Sequence, residues 1–202
     1  MSVRLVKGQK ISLVKPGSGL SKLMVGLGWD EAQQKSGGFF GLFSAKAANI
    51  DCDASVILCG ADGRVVSPNT KDNTIYFGNL THESGTVRHM GDNLTGEGEG
   101  DDEQIAVDLQ RLPKVYDRIV FVVNIFQAKA RGQHFGMLQN AFIRICDDNG
   151  QELCKYDLNE NYNGMTAMVF GELYRHNGAW KFNAIGQATQ DQSVHEIANR
   201  FR

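Results

Sequence analysis

The stretch RIVFVVNIF (118–126) is apolar from Ile119 to Val123 and again at Ile125 and Phe126, and it is rich in β-branched residues. A strand with one wet face alternates apolar and polar residues. A run without that alternation predicts a strand covered on both faces, at the centre of a sheet. Working outward, the chain is a series of similar short runs: KISLVK (10–15), KLMVGLGW (22–29), ASVILCG (54–60), DNTIYFGNL (72–80), TVRHM (86–90), QIAVDL (104–109), AFIRICD (141–147), ELCKYDL (152–158), TAMVFGELYRH (166–176) and WKFNAIGQAT (180–189). Turn residues separate them, at Ala61-Asp62-Gly63-Arg64, Asp147-Asp148-Asn149-Gly150 and His176-Asn177-Gly178-Ala179. Asp-Gly and Asn-Gly pairs supply the positive φ angles of tight hairpins. Only Val194–Phe201 carries a helical stripe, through Val194, Ile197, Ala198 and Phe201. The expected fold is all-β: an antiparallel β-sandwich with a short peripheral helix at the C-terminus, one domain spanning 1–202.

One segment does not fit a strand. SGGFFGLFSAKAAN (36–49) sets Phe39, Phe40, Leu42 and Phe43 among glycines without alternation. It reads as a Gly/Phe-rich loop insertion, either a connection folded over the sandwich or an exposed apolar surface for a partner or membrane.

Composition narrows the function classes. The 202 residues carry 42% hydrophobic side chains, enough for a core, and a formal net charge of −2 with 21 Lys and Arg scattered along the chain. Nothing here predicts a nucleic-acid partner. The N-terminus MSVRLVKGQKISL lacks the apolar run of a secretory signal, and no stretch approaches a membrane span. Cys52, Cys59, Cys146 and Cys154 form no CxxC pair and sit in strand-like runs. They read as buried hydrophobes in a reduced, cytoplasmic compartment.

The unusual feature is GDNLTGEGEGDDE (91–103). Six carboxylates (Asp92, Glu97, Glu99, Asp101, Asp102 and Glu103) stand there without a cation, spaced by Gly96, Gly98 and Gly100. Like charges so close repel, and glycine raises the entropy cost of ordering. Calcium resolves the conflict, because it takes six to eight oxygens from carboxylates, backbone carbonyls and Asn or Thr side chains. The segment supplies Asp92, Asn93, Thr95, the Gly96 carbonyl, Asp101, Asp102 and Glu103. Zinc would call for Cys or His, which the segment lacks. The spacing is not that of an EF-hand, since Leu94 and Gly96 occupy positions that motif reserves for ligands. Further oxygens come from Asp30, from Asp51 and Asp53, which share one face of a strand, and from Asn79. The set predicts more than one calcium site.

With these residues in view, a family resemblance is clear. GLGWD (26–30), DCDAS (51–55), GDNLTGEGEGDDE, IVFVVNIFQAKARGQHFG (119–136), NAFIRI (140–145) and AMVFGELYRHNGAWKF (167–182) resemble the TerD family of bacterial tellurium-resistance and general stress proteins, from Lys7 to about Gln187. The resemblance implies a calcium-binding β-sandwich. It departs at Cys52, where many members have Leu, and at Gly78-Asn79, where many have two asparagines. The segment 36–49 resembles an insertion found in some members.

No catalytic constellation stands out. The five histidines make no HExxH, and Ser55 and Ser84 lack the G-x-S-x-G setting of a nucleophile elbow. RGQHFG (131–136) reads as a polar turn between strands or a small-anion contact. The expectation is therefore not an enzyme but a calcium-dependent interaction or scaffold module. Its partners would be calcium ions and other stress or tellurium-resistance proteins, with the inner membrane face as another docking surface. The alternative is a thiol-dependent detoxification or redox protein acting on tellurite or peroxide through Cys52 or Cys59. Neither cysteine has a cation beside it in sequence to favour the thiolate.

Overall fold

The protein is described from a computed structural model covering residues 2–13, 21–31, 50–91, 100–158 and 160–202. The 36–49 insertion and the expected ligands Asp92, Asn93, Thr95 and Gly96 lie outside the described residues.

Among the described residues, twelve strands run in chain order: β1 (Val3–Leu5), β2 (Lys10–Ser12), β3 (Lys22–Glu31), β4 (Cys52–Cys59), β5 (Thr74–Ile75), β6 (Val87–His89), β7 (Glu103–Asp108), β8 (Arg118–Ile125), β9 (Leu138–Asp147), β10 (Glu152–Asp157), β11 (Ala167–His176) and β12 (Ala179–Thr189). Three short helices accompany them: α1 (Thr70–Asn73), α2 (Ala128–Arg131) and α3 (Val194–Ala198). One sheet has the order β1-β10-β9-β3-β7-β6 and the other β2-β12-β11-β8-β4-β5. The two-sheet, β-rich architecture with a C-terminal helix is the one the hydrophobic runs predict.

β8 lies between β11 and β4, and its two faces explain its unbroken apolar run. Ile119, Phe121, Val123 and Ile125 face the core between the sheets, beside Val25, Leu27, Ile105 and Ile143. Val120 and Val122 face outward and meet Val194, Ile197 and Ala198 of α3. The helix start is built by Ser193 and Glu196: the Ser193 hydroxyl accepts the Glu196 N–H at 3.3 Å, and the Glu196 carboxylate accepts the Gln192 N–H at 2.7 Å. Arg200 then ties the last turn to Asp191 through two bonds of 2.6 and 3.1 Å. Ile197 is fully buried in this contact. Ile197→Ala is expected to destabilise the protein by about 2–5 kcal/mol, read from denaturant midpoints at unchanged slope. A loss of a few tenths would show that α3 does not seal β8.

The hairpins follow their turn chemistry. Between β11 and β12, Asn177 and Gly178 have φ of 51° and 76°, the left-handed pair a two-residue turn requires. One strand departs from the expected pattern: β1 pairs with β10 in parallel, Val3 opposite Cys154. β1 reaches the sheet from the chain start rather than through a hairpin, so no turn dictates its direction. After a turn at Gly8 (φ 79°) the chain passes to the other sheet as β2.

Candidate functional site

The starts of β4 and β7, on facing sheets, place Asp51, Asp53, Asp102 and Glu103 at one end of the sandwich. Asp51 and Asp53 flank the first residue of β4 and are 9% and 4% exposed. Asp53 stands opposite Asn124 in the β4–β8 register and accepts its side-chain N–H at 3.1 Å. Asn124 is the one uncharged polar residue in RIVFVVNIF, and its place on the outward face follows from the Val120–Val122 alternation. Glu103 opens β7 on the facing sheet, with Ile105 and Val107 following it into the core.

Glu103 performs a specific structural task. β5 is two residues long and covers β4 only at Val56 and Ile57, leaving Ala54 on a strand edge inside the protein. The Glu103 carboxylate accepts the Ala54 N–H, and His89 Nε2 lies 3.2 Å from the Ala54 carbonyl. His89 Nδ1 accepts the Gly91 N–H at 3.2 Å, which leaves the ring proton on Nε2, 3.5 Å from Glu103. Two side chains thus stand in for the missing strand and satisfy backbone groups that would otherwise be buried without partners.

Asp102 and Asp101 part company. Asp102 accepts the Trp29 backbone N–H at 2.8 Å and keeps the end of β3 against the loop. Burial pushes its carboxyl above the usual range; the Trp29 bond opposes that, and the charges of Asp30 and Asp101 reinforce it. Asp101 turns to the outer face of its sheet, over Gly26, where a Cβ would strike its carboxylate. Arg144 grips it with bonds of 2.6 and 3.0 Å, and Gln104 adds a third at 3.1 Å. Its charge is therefore answered by a guanidinium. Asp30 is exposed at the end of β3 and accepts from Asn140 at 2.7 Å. Asn79 closes the Tyr76–Asn79 turn and donates its amide to the carbonyls of Lys71 and Thr74. In this arrangement Asp101 and Asn79 serve local structure, while Asp51, Asp53, Asp102 and Glu103 gather.

Cys52 reports that gathering. Its buried thiol is pushed well above its ordinary pKa by desolvation first, then by Asp53, Glu103, Asp51 and Asp102 in turn. Cys59, at the other end of β4, faces Arg118 across the register, a cation the linear sequence does not place beside it. Arg118 favours the thiolate, but burial dominates and the thiol is pushed up to about 12. All four cysteines are buried and reduced. Thiol reagents at neutral pH are expected to label native protein at least ~100-fold more slowly than unfolded protein, because both thiolate fraction and access are low. Fast native labelling of Cys52 or Cys59 would contradict this placement.

Chemically, these carboxylates offer hard oxygen donors in a largely buried setting, the donor class of calcium rather than zinc. Among the described residues, no group of three or more His, Cys, Asp or Glu side chains is close enough to hold an ion by itself. Sequence reading missed His89, Asn124 and Arg144, the last two each a lone polar residue in an apolar run. That isolation was the available signal.

The TerD domain model matches residues 1–201. The chain is 49% identical over 202 residues to stress response protein SCP2 of Bacillus subtilis, covering all of both proteins. It is 45% identical over 188 residues to tellurium resistance protein TerD of Serratia marcescens, covering 93% of this chain and 91% of that one. Among solved structures, a homologue of telluride resistance protein TerD from Streptomyces coelicolor superposes with a TM-score of 0.64 at 21% identity, covering 91% of this chain and 99% of that one. That likeness shows a shared fold. Family model, whole-length relatives and fold agree: the chain belongs to the TerD family of tellurium-resistance and stress-response proteins.

Proposed function

We propose that the protein is a calcium-binding module of the bacterial stress response, acting in the cytoplasm through calcium-dependent contacts with other proteins rather than as a catalyst. The observation that carries this reading is the placement of four acidic residues near Cys52 at one end of the sandwich, Asp51 and Asp53 beside the start of β4 and Asp102 and Glu103 at the start of β7. Bringing Asp51, Asp53, Asp102 and Glu103 together costs repulsion that a divalent cation offsets. Asp102, whose ionised form is disfavoured by burial, is the group such a cation would return to charge. On sequence alone, Asp92, Asn93, Thr95 and the Gly96 carbonyl supply the further oxygens that calcium's coordination number demands. Glu103 is assigned to the β4 edge before the ion, and Asp101 to Arg144. The relatives' names, which speak of stress response and tellurium resistance, support the biological setting. Among the described residues no helix is long and apolar enough to cross a membrane.

The test is a calorimetric calcium titration of the purified full chain at fixed salt. Asp53→Asn and Asp102→Ala are expected to weaken binding about tenfold or more, a loss of about 1.4 kcal/mol or more. Glu97→Gln, flanked by Gly96 and Gly98 in the acidic segment, should change it little beyond a salt-dependent effect. Equal losses from Glu97→Gln and Asp102→Ala would refute this division of roles, and no binding by the wild type would refute calcium.

A further inference from the structure

At the opposite end of β8 from the carboxylates, a cavity of about 230 Å³ opens between the Gly60-Ala61 turn, Asp117, Arg118, Tyr174, Arg175 and the Asn177-Gly178 hairpin. Its arginines are held in place by other groups. Arg118 Nη1 donates to Glu172 Oε2, and Asn183 occupies the other Glu172 oxygen at 3.0 Å. Arg175 pairs with Asp117 at 2.8 Å and lies over the Trp180 ring at 4.8 Å.

Two further observations point to a missing acceptor. Arg118 Nε is buried and meets no hydrogen-bond acceptor among the described residues. Buried donors without a partner are rare and ordinarily mark a bound water or ion. The charge balance is also one-sided. Lys181 stands beside Tyr174 in the β11–β12 register, and Lys10 lies 5.9 Å from the Tyr174 ring centroid. Arg118, Arg175, Lys10 and Lys181 thus stand against three carboxylates, Asp117, Glu172 and Asp62 beside Gly60. A guanidinium whose fork is fixed by one carboxylate still presents further N–H groups in a plane, the geometry that suits tetrahedral and pyramidal oxyanions.

We propose that this cavity is a binding site for a small oxyanion, with the guanidinium groups of Arg118 and Arg175 as donors and Lys10 and Lys181 supplying long-range attraction. The site is separate from the carboxylate end, at the other terminus of β8, and does not depend on calcium. Inorganic phosphate and tellurite present the same chemistry from different sources.

The experiment titrates the full chain with phosphate and, separately, with tellurite, at ionic strength held constant with chloride. Saturable one-site binding to either anion is expected. It should weaken at least tenfold in Arg118→Lys, which keeps the charge facing Glu172 but loses the fork, and in Arg175→Gln. Lys22→Gln, on the other sheet, should leave it unchanged. Saturation by phosphate alone or by tellurite alone supports the site and identifies the anion. A rise in wild-type melting temperature with the anion, against chloride at equal ionic strength, gives a readout independent of how the variants fold. Absence of saturable binding by both anions, or binding indifferent to both arginine substitutions, would overturn the assignment.

Discussion

Glu103→Ala is expected to destabilise the calcium-free protein by about 3 kcal/mol or more, because a buried backbone N–H and the adjacent His89 Nε2–H lose a charged acceptor. The substitution strips the acceptor from the Ala54 N–H and leaves His89 Nε2 with the Ala54 carbonyl but without the carboxylate beside it. Glu103→Gln retains an oxygen for Ala54 and should cost less, about 1–3 kcal/mol. Both are measured by chemical denaturation in chelator, where no metal contributes. If Glu103 acted instead as a calcium ligand alone, the two variants would match or exceed the wild type in chelator, and the difference would appear only on adding calcium. A stability loss already present in chelator identifies the edge-capping role.

The second large effect is the stabilisation by calcium itself. A ligand that binds the native state alone stabilises it by about 4 kcal/mol at a thousandfold excess over Kd. For a chain of this size that corresponds to a melting temperature roughly 8–16 °C higher in calcium than in chelator. The shift should depend on calcium concentration and shrink in Asp53→Asn, whose carboxylate lies buried opposite Asn124. A melting curve indifferent to chelator would remove the reason for crowding carboxylates at this end.

Much of this fold was legible in the sequence because its decisive signals are local. Asn177-Gly178 demands a tight hairpin, and the unbroken run of β8 demands cover on both faces. β1 was not legible: three residues without flanking turn chemistry carry no periodicity, and its parallel pairing with β10 depends on a contact 151 residues away, from Val3 to Cys154. The candidate site divides along the same line. Asp51 and Asp53 share an outward face by strand alternation alone. The roles of Glu103 and Asp101 rest on long-range partners, Ala54 49 residues away and Arg144 43 residues away. A charge run in sequence does not reveal which of its members a distant backbone edge or guanidinium has already engaged. For the same reason Arg118 was invisible beside Cys59 until β8 and β4 were paired.

Terbium in place of calcium, with tryptophan as the reporter of position, locates the bound ion. Trp29 donates its backbone N–H to Asp102, at the carboxylate end, whereas Trp180 packs with Arg175 at the other end. Terbium shares calcium's preference for oxygen ligands and emits strongly only when a nearby aromatic ring transfers energy to it. Tryptophan-sensitised terbium emission is expected that calcium displaces, that Trp29→Phe abolishes and that Trp180→Phe leaves in place. Emission that survives Trp29→Phe and vanishes with Trp180→Phe, or no displaceable emission, would contradict calcium binding at the carboxylate end.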